Sequence, residues 1–169
     1  MELWDLYNEN RELTGKTHIR GQEVPQGLYH LVVHVWIRNS KGEYLISQRS
    51  ADRPAFPLMW ECVGGSVVAG EDSLTAALRE TKEEVGLNLS ADNGKLAYSV
   101  IGRVINGLKY TDIVDAYLFE YDGDINLNDA TTAEVAQTKW MSSDEIRALF
   151  EEKKFVHTLG YFFTEIENK

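Results

Sequence analysis

The apolar positions of this chain outline strands along most of its length and helices in three places. Residues 29–37 (YHLVVHVWI) are the most β-prone run; they stop at Arg38-Asn39-Ser40-Lys41-Gly42 and the pattern resumes over residues 44–49, which predicts a hairpin. Before it, residues 4–7 and 17–20 bracket the polar stretch NENRELTGK and read as a paired edge. Residues 60–63 predict a short strand ahead of a glycine pair, and residues 96–105 and 110–121 flank the turn signal Asn106-Gly107. A further strand is predicted near residues 137–141. Helical spacing is clearest at Leu74, Ala77, Leu78, Thr81 and Val85, which share one stripe. Ser142 and Glu145 stand at capping-box spacing before Ile146, Leu149 and Phe150, and residues 155–167 predict a last amphipathic helix. A mixed sheet with helices on its faces accommodates this order.

The first helix is unusual on its polar side. Residues 71–73 read as its start, with Ser73 as N-cap, and Gly86 fits the left-handed position past its end. Glu80, Glu83 and Glu84 fall within an arc of about 100° opposite the apolar stripe. A solvated helix face interleaves lysine four residues after glutamate. Here those positions hold Glu84, Leu87 and Asn88, and only Arg79 can pair at that spacing, with Glu83. The missing compensation points to a cation. Hard carboxylate oxygens suit Mg²⁺ or Mn²⁺. In Val63-Gly64-Gly65-Ser66 the glycines let the backbone approach a ligand, and the Gly65 carbonyl can itself face a metal.

Composition narrows the partners. With 169 residues and 43% hydrophobic content, residues 1–169 are expected to form a single domain with a core of their own. A net charge of −10 argues against a nucleic-acid partner or an anionic membrane surface. A small phosphorylated substrate stays compatible, because a bound metal reverses the local sign. Cys62 is the sole cysteine, so an intrachain disulfide is excluded and a reducing compartment is expected. The opening residues carry no basic segment and no apolar run is long enough to span a bilayer, so the expected location is cytoplasmic. A homodimer is left open.

From Gly65 to Leu87 the chain resembles the Nudix box, G-x5-E-x7-R-E-U-x-E-E-x-G-U with U aliphatic. Gly65, Glu71, Arg79, Glu80, Glu83, Glu84 and Gly86 occupy its fixed positions, and Thr81 replaces one aliphatic residue without loss of charge or ligand. Seven fixed identities at fixed spacings arise by chance in a chain of this length on the order of once in a million. The resemblance implies an α+β Nudix fold, an α/β/α sandwich, in a MutT-like hydrolase that cleaves a phosphoanhydride with a divalent cation. It implies that Glu80, Glu83 and Glu84 ligate the metal, that Glu71 supports them, and that Arg79 orients a carboxylate. The general base varies among Nudix enzymes; Glu134, in a polar loop ahead of a strand, is one candidate, and Asp112 and Asp115, on opposite faces of another strand, are lesser ones. Arg49 and Arg53 are candidates for binding substrate phosphate.

A second resemblance, to isopentenyl-diphosphate isomerases, is carried by residues 6–36 and by the LISQRS and LMWE stretches. Counted from Trp60, the isomerase cysteine falls on Gly65 and the metal histidine beyond it on Val67; of two upstream metal histidines, His30 matches one and Glu23 stands for the other. Without that cysteine, isomerase chemistry is disfavoured, and Cys62 reads as a buried small hydrophobe. His30 and His34 share one strand face and read as structural. Three classes follow: a pyrophosphohydrolase, favoured by the complete set of box acids; an isomerase-like enzyme; and a non-catalytic nucleotide-binding regulatory module. Nucleoside triphosphates, nucleotide sugars, dinucleotide polyphosphates and non-nucleotide diphosphates all remain open as substrates. Trp4, Tyr7, Trp36, Phe56, Trp60 and Tyr110 serve either as core or as stacking partners.

Overall fold

A computed structural model describes residues 1–169. β1 (Leu3–Tyr7) and β2 (Leu13–Ile19) form the expected antiparallel edge, with Leu3 opposite Ile19. β3 (Tyr29–Arg38) is the spine of the sheet. It alternates Leu31, Val33, Val35 and Ile37 towards one side and His34 and Trp36 towards the other.

The hairpin predicted between β3 and β4 (Tyr44–Arg49) exists only at its base. The two strands pair at Arg38 and Tyr44 and then separate. β5 (Trp60–Glu61) pairs with β4, whereas β6 (Val63–Ser66) pairs with β3 from Val35 back to Val32. The chain thus crosses at Cys62 from one half of a forked sheet to the other. The glycine pair explains why β3 prefers β6: a Cβ on Gly64 would lie 2.6 Å from the Val33 carbonyl oxygen, so only glycine tolerates this approach.

α1 (Ser73–Val85) follows β6. Its N-cap is Asp72, which accepts from the Thr75 amide at 2.7 Å, and not Ser73. Ser73 is the first helical residue, buried, with its hydroxyl 2.7 Å from that of Tyr117. Ala76, Ala77, Thr81 and Val85 are fully buried, and Thr81 spends its hydroxyl on the Ala77 carbonyl. Gly86 ends the helix at φ 76°.

β7 (Gly94–Ile101) leads to a tip hairpin of β8 (Val104–Ile105) and β9 (Leu108–Lys109), closed by Asn106 and Gly107, both at positive φ. β10 (Asp112–Glu120) runs parallel to β3 and antiparallel to β7, and is buried along eight of its nine residues. β11 (Val135–Met141) pairs with β4, and α2 (Ser143–Glu151) starts with the complete Ser142–Glu145 capping box.

Residues 155–167 do not form the expected amphipathic α-helix. They make a 3₁₀ turn at His157–Leu159 and a π-helical turn at Phe162–Ile166. The Trp60 amide donates to the Lys154 carbonyl and the Val156 amide to the Trp60 carbonyl, so the segment starts as a bridge to β5. Backbone groups used in that bridge are withheld from a helix. One core lies between the sheet and α1, around Val33, Val35, Ala77 and Phe119. The other lies between the sheet, α2 and the last segment, around Trp36, Ile46, Ile146 and Phe162. The layers form the expected α/β/α sandwich.

Candidate active site

Arg79 organises the box. Its Nε and Nη2 donate to the two oxygens of Glu71 at 2.9 and 3.0 Å, and Nη2 also donates to the Ser66 carbonyl. Nη1 reaches Glu80 at 3.0 Å and Glu83 at 3.2 Å. The sequence pairs Arg79 with Glu83 alone; the structure gives it three carboxylates, because the loop after β6 folds Glu71 back over the helix. The hydrogen bond to Glu71, helped by the charges of Glu80 and Glu83, holds the guanidinium well above its ordinary value.

Glu80 leans over Gly65. A Cβ at that position would fall inside the Glu80 carboxylate, so glycine is required for the approach. Burial raises the Glu80 carboxyl to about 7 against the pull of Arg79. Glu84, placed by helical period on the polar face, is only 5% exposed, and its Oε2 has no partner. Burial, then the charges of Glu61, Glu80 and Glu134, push it well above the carboxylate range. Glu83 stays half-exposed. Its backbone carbonyl accepts from the Thr131 and Thr132 amides and the Thr132 hydroxyl, which ties the loop carrying Glu134 to α1.

Glu61 is the acid that sequence reasoning missed. It stands in β5 with Arg49 Nη1 at 2.8 and 3.0 Å from its oxygens, and burial raises it against that pairing. A carboxylate two residues before Val63 in an otherwise apolar strand was the available signal. Arg53 pairs with Glu134 at 2.9 Å, and its Nε is buried without a partner. Both arginines line a cavity of about 190 Å³ in the fork of the sheet, together with His34, Glu61, Gly65 and Thr158.

The remaining candidates lie elsewhere. Asp115 is gripped by Arg11 and Ser99; against the cost of burial, these bonds and Ser73 hold its carboxyl below the ordinary value. Asp112 pairs with Arg103 at 2.9 Å. The charge of Glu134 bears on both Glu80 and Glu84, and that of neither aspartate does, so Glu134 stays ahead of both as a candidate base. His30 stacks on Trp4 at 4.1 Å, and His34 bonds Tyr161. Cys62 is buried and its thiol is raised by burial, the opposite of an activated nucleophile.

Donor chemistry fits a hard divalent cation. The donors of the box, the carboxylates of Glu80, Glu83 and Glu84 and the Gly65 carbonyl, are all oxygen; Glu84 holds an orphaned buried oxygen, and Gly65 leaves a cradle that any side chain would fill. Glu80, Glu83 and Glu84 do not close around a common centre in this arrangement; Arg79 holds the first two.

The NUDIX domain family matches residues 28–161. The chain belongs to the Nudix family of hydrolases. An uncharacterized Nudix hydrolase of Listeria monocytogenes is 40% identical over 168 residues, covering 96% of this chain and 91% of that protein. Among solved structures, a Deinococcus radiodurans protein superposes with a TM-score of 0.72 at 23% identity, over 92% of both chains, which speaks to the fold. The isopentenyl-diphosphate Delta-isomerase I of Clarkia breweri is 28% identical over 162 residues, 85% of this chain and 56% of that protein. As a Nudix hydrolase the chain is assigned to pyrophosphate-bond cleavage, a reaction the family generally runs with divalent cations. None of its helices is long and apolar enough to cross a membrane.

Proposed function

We propose that this Nudix chain is a Mg²⁺- or Mn²⁺-dependent pyrophosphohydrolase acting on a small diphosphate compound, nucleoside-linked or not. Glu80, Glu83, Glu84 and the Gly65 carbonyl would hold the cation. A bound divalent cation supplies Lewis acidity, which lowers the pKa of the attacking water and offsets phosphate charge. The observation that carries this reading is the unpartnered buried oxygen of Glu84, set among Glu61 and Glu80 beside a cavity walled by arginine. A lone buried carboxylate is costly unless a positive charge meets it.

The chain's own groups have distinct tasks in this reading. Arg79 and Glu71 hold the box loop and fix Glu80 and Glu83 in orientation. Arg49 and Arg53 bind the substrate's phosphate oxygens, with Glu61 keeping Arg49 in place. Glu134, steered by Arg53, takes the proton of the attacking water. Arg49 and Glu61 are both largely buried, which strengthens their pairing.

The test is phosphate release from the four open substrate classes with Mg²⁺, with Mn²⁺ and with chelator. Turnover that needs the cation supports the reading. Tight binding of a nucleotide without turnover under any condition would assign the chain to the non-catalytic class instead. Isomerase chemistry has little support: Gly65 stands where the isomerase has its cysteine, and no Cβ fits there beside Glu80.

A further inference from the structure

The second face of β3 carries a hydrogen-bond relay that the reaction scheme above does not use. His34 Nδ1 lies 2.7 Å from the Tyr161 hydroxyl, and the two ring planes are within 11° of parallel. The same hydroxyl is 3.0 Å from Trp36 Nε1. An indole N–H can only donate, so the Tyr161 oxygen accepts from Trp36. The hydroxyl's own proton then has one acceptor within reach, the lone pair of His34 Nδ1. The opposite tautomer would strand a buried hydroxyl proton without an acceptor. A charged imidazolium is excluded as well: burial, with the nearby charge of Arg103, pushes the ring down to about 3.

His34 is therefore neutral, with its proton on Nε2. Its Cδ2 edge rests over Gly64, 3.4 Å from where a Cβ would stand. Nδ1 is consumed by Tyr161, and the ring lines the cavity that also holds Arg49, Arg53 and Gly65. Phosphate oxygens carry lone pairs and no protons, so a site built for them needs groups that only donate.

We infer that His34 presents Nε2–H as a fixed, uncharged donor to an oxygen of the substrate's diphosphate, locked in that tautomer by Trp36 through Tyr161. The inference rests on the diphosphate-hydrolase reading and adds a binding residue to it. Unlike an exposed histidine, this donor keeps its proton count across the physiological range. An Arg-only cavity would bind any anion by charge; a neutral donor at one set point rewards the oxygen spacing of a diphosphate.

Two measurements on the whole chain test it. Long-range ¹H–¹⁵N spectra of the wild-type imidazoles at about pH 8 and about pH 5 should show His34 as the Nε2–H tautomer at both. An Nδ1–H tautomer, or titration within that range, overturns the inference without any variant. The second is a titration with methylenediphosphonate and Mg²⁺. His34→Phe should weaken binding about tenfold or more, the loss of one hydrogen bond to a charged acceptor. His34→Gln, whose amide N–H reaches the same point, should restore affinity towards wild type, and Tyr161→Phe should weaken binding. A wild type that binds the diphosphonate alongside a His34→Phe variant that binds equally well overturns the inference and leaves the hydrolase reading standing. A wild type that does not bind it with Mg²⁺ or Mn²⁺ overturns both.

Discussion

The two walls of the site are built in opposite ways. The acidic wall comes from one continuous stretch, Gly65 to Glu84, in which the helical period and one arginine set nearly every distance. The other wall is gathered from β3, the end of β4 and the loop after it, β5 and residues 156–159, with Glu134 of the loop before β11 joined to it through Arg53. A wall made of local structure keeps its geometry wherever the helix forms. A wall made of long-range pairings depends on the fork between β3 and β4 and on the bridge between Trp60 and Phe155. The acidic wall is thus suited to the invariant part of the chemistry, and the assembled wall to choosing what is bound.

The largest effect expected is on the acidic wall. Glu84→Gln removes a carboxylate while keeping its shape, and kcat should fall about 10³-fold, the scale of losing a main electrostatic contributor. The cation-free protein should gain stability from the same change. The Glu84 carboxyl is raised in the folded state, so its contribution is fully present below the unfolded value near 4.3 and is lost as pH rises. Melting temperatures should therefore separate at alkaline pH and converge in acid. Near-native turnover of Glu84→Gln with Mg²⁺ would break the comparison at its root.

Glu134 belongs to the assembled wall yet is proposed to act in the chemistry. Glu134→Gln should lower kcat about 10²-fold, the lower range for a general base. The Mg²⁺ concentration for half-maximal rate should hardly move, and the acidic limb of the pH–rate profile should flatten. An unchanged rate and profile would make Glu134 only the partner of Arg53.

Arg49→Lys sharpens the contrast further. Lysine keeps the charge but cannot hold Glu61 and the Ala55 carbonyl together, as Arg49 does through Nη1 and Nε. The expected outcome is a KM raised roughly tenfold with kcat little changed, from a weakened charge-assisted bond. A fall in kcat with KM constant would move Arg49 from binding to catalysis.

The smallest effect concerns stability in acid. His34 is depressed to about 3 when folded, against about 6.5 in the unfolded chain. Its contribution is present above the unfolded value and is lost as pH falls. Between about pH 6.5 and about pH 5.5 this costs about 1 kcal/mol. His34→Gln should flatten that part of the stability–pH curve, read by denaturant unfolding. A variant with the same slope as wild type would place the acid-sensitive group elsewhere.

The sequence by itself determined the box: its helix, its acids, the Thr81 replacement, the left-handed Gly86 and the capping box of α2. These follow from spacing within one or two helical turns, where 3.6 residues per turn converts sequence distance directly into geometry. It also determined the layered fold, because β-prone runs and amphipathic stretches alternate in an order that few architectures accommodate. Only the tertiary structure decided that Glu84 is buried, since a polar helix face becomes interior when β5 and the loop before β11 close over it. Only the tertiary structure drew Glu71, Glu80 and Glu83 to one arginine, parted β3 from β4, and turned residues 155–167 from a helix into a bridge and two short turns. It also joined Trp36, His34 and Tyr161, whose hydroxyl bonds span 125 and 127 positions in the chain. The physical reason is common to all of these. Side chains meet there through pairing register and burial, which depend on what the rest of the chain leaves unpaired, and no local period carries that information.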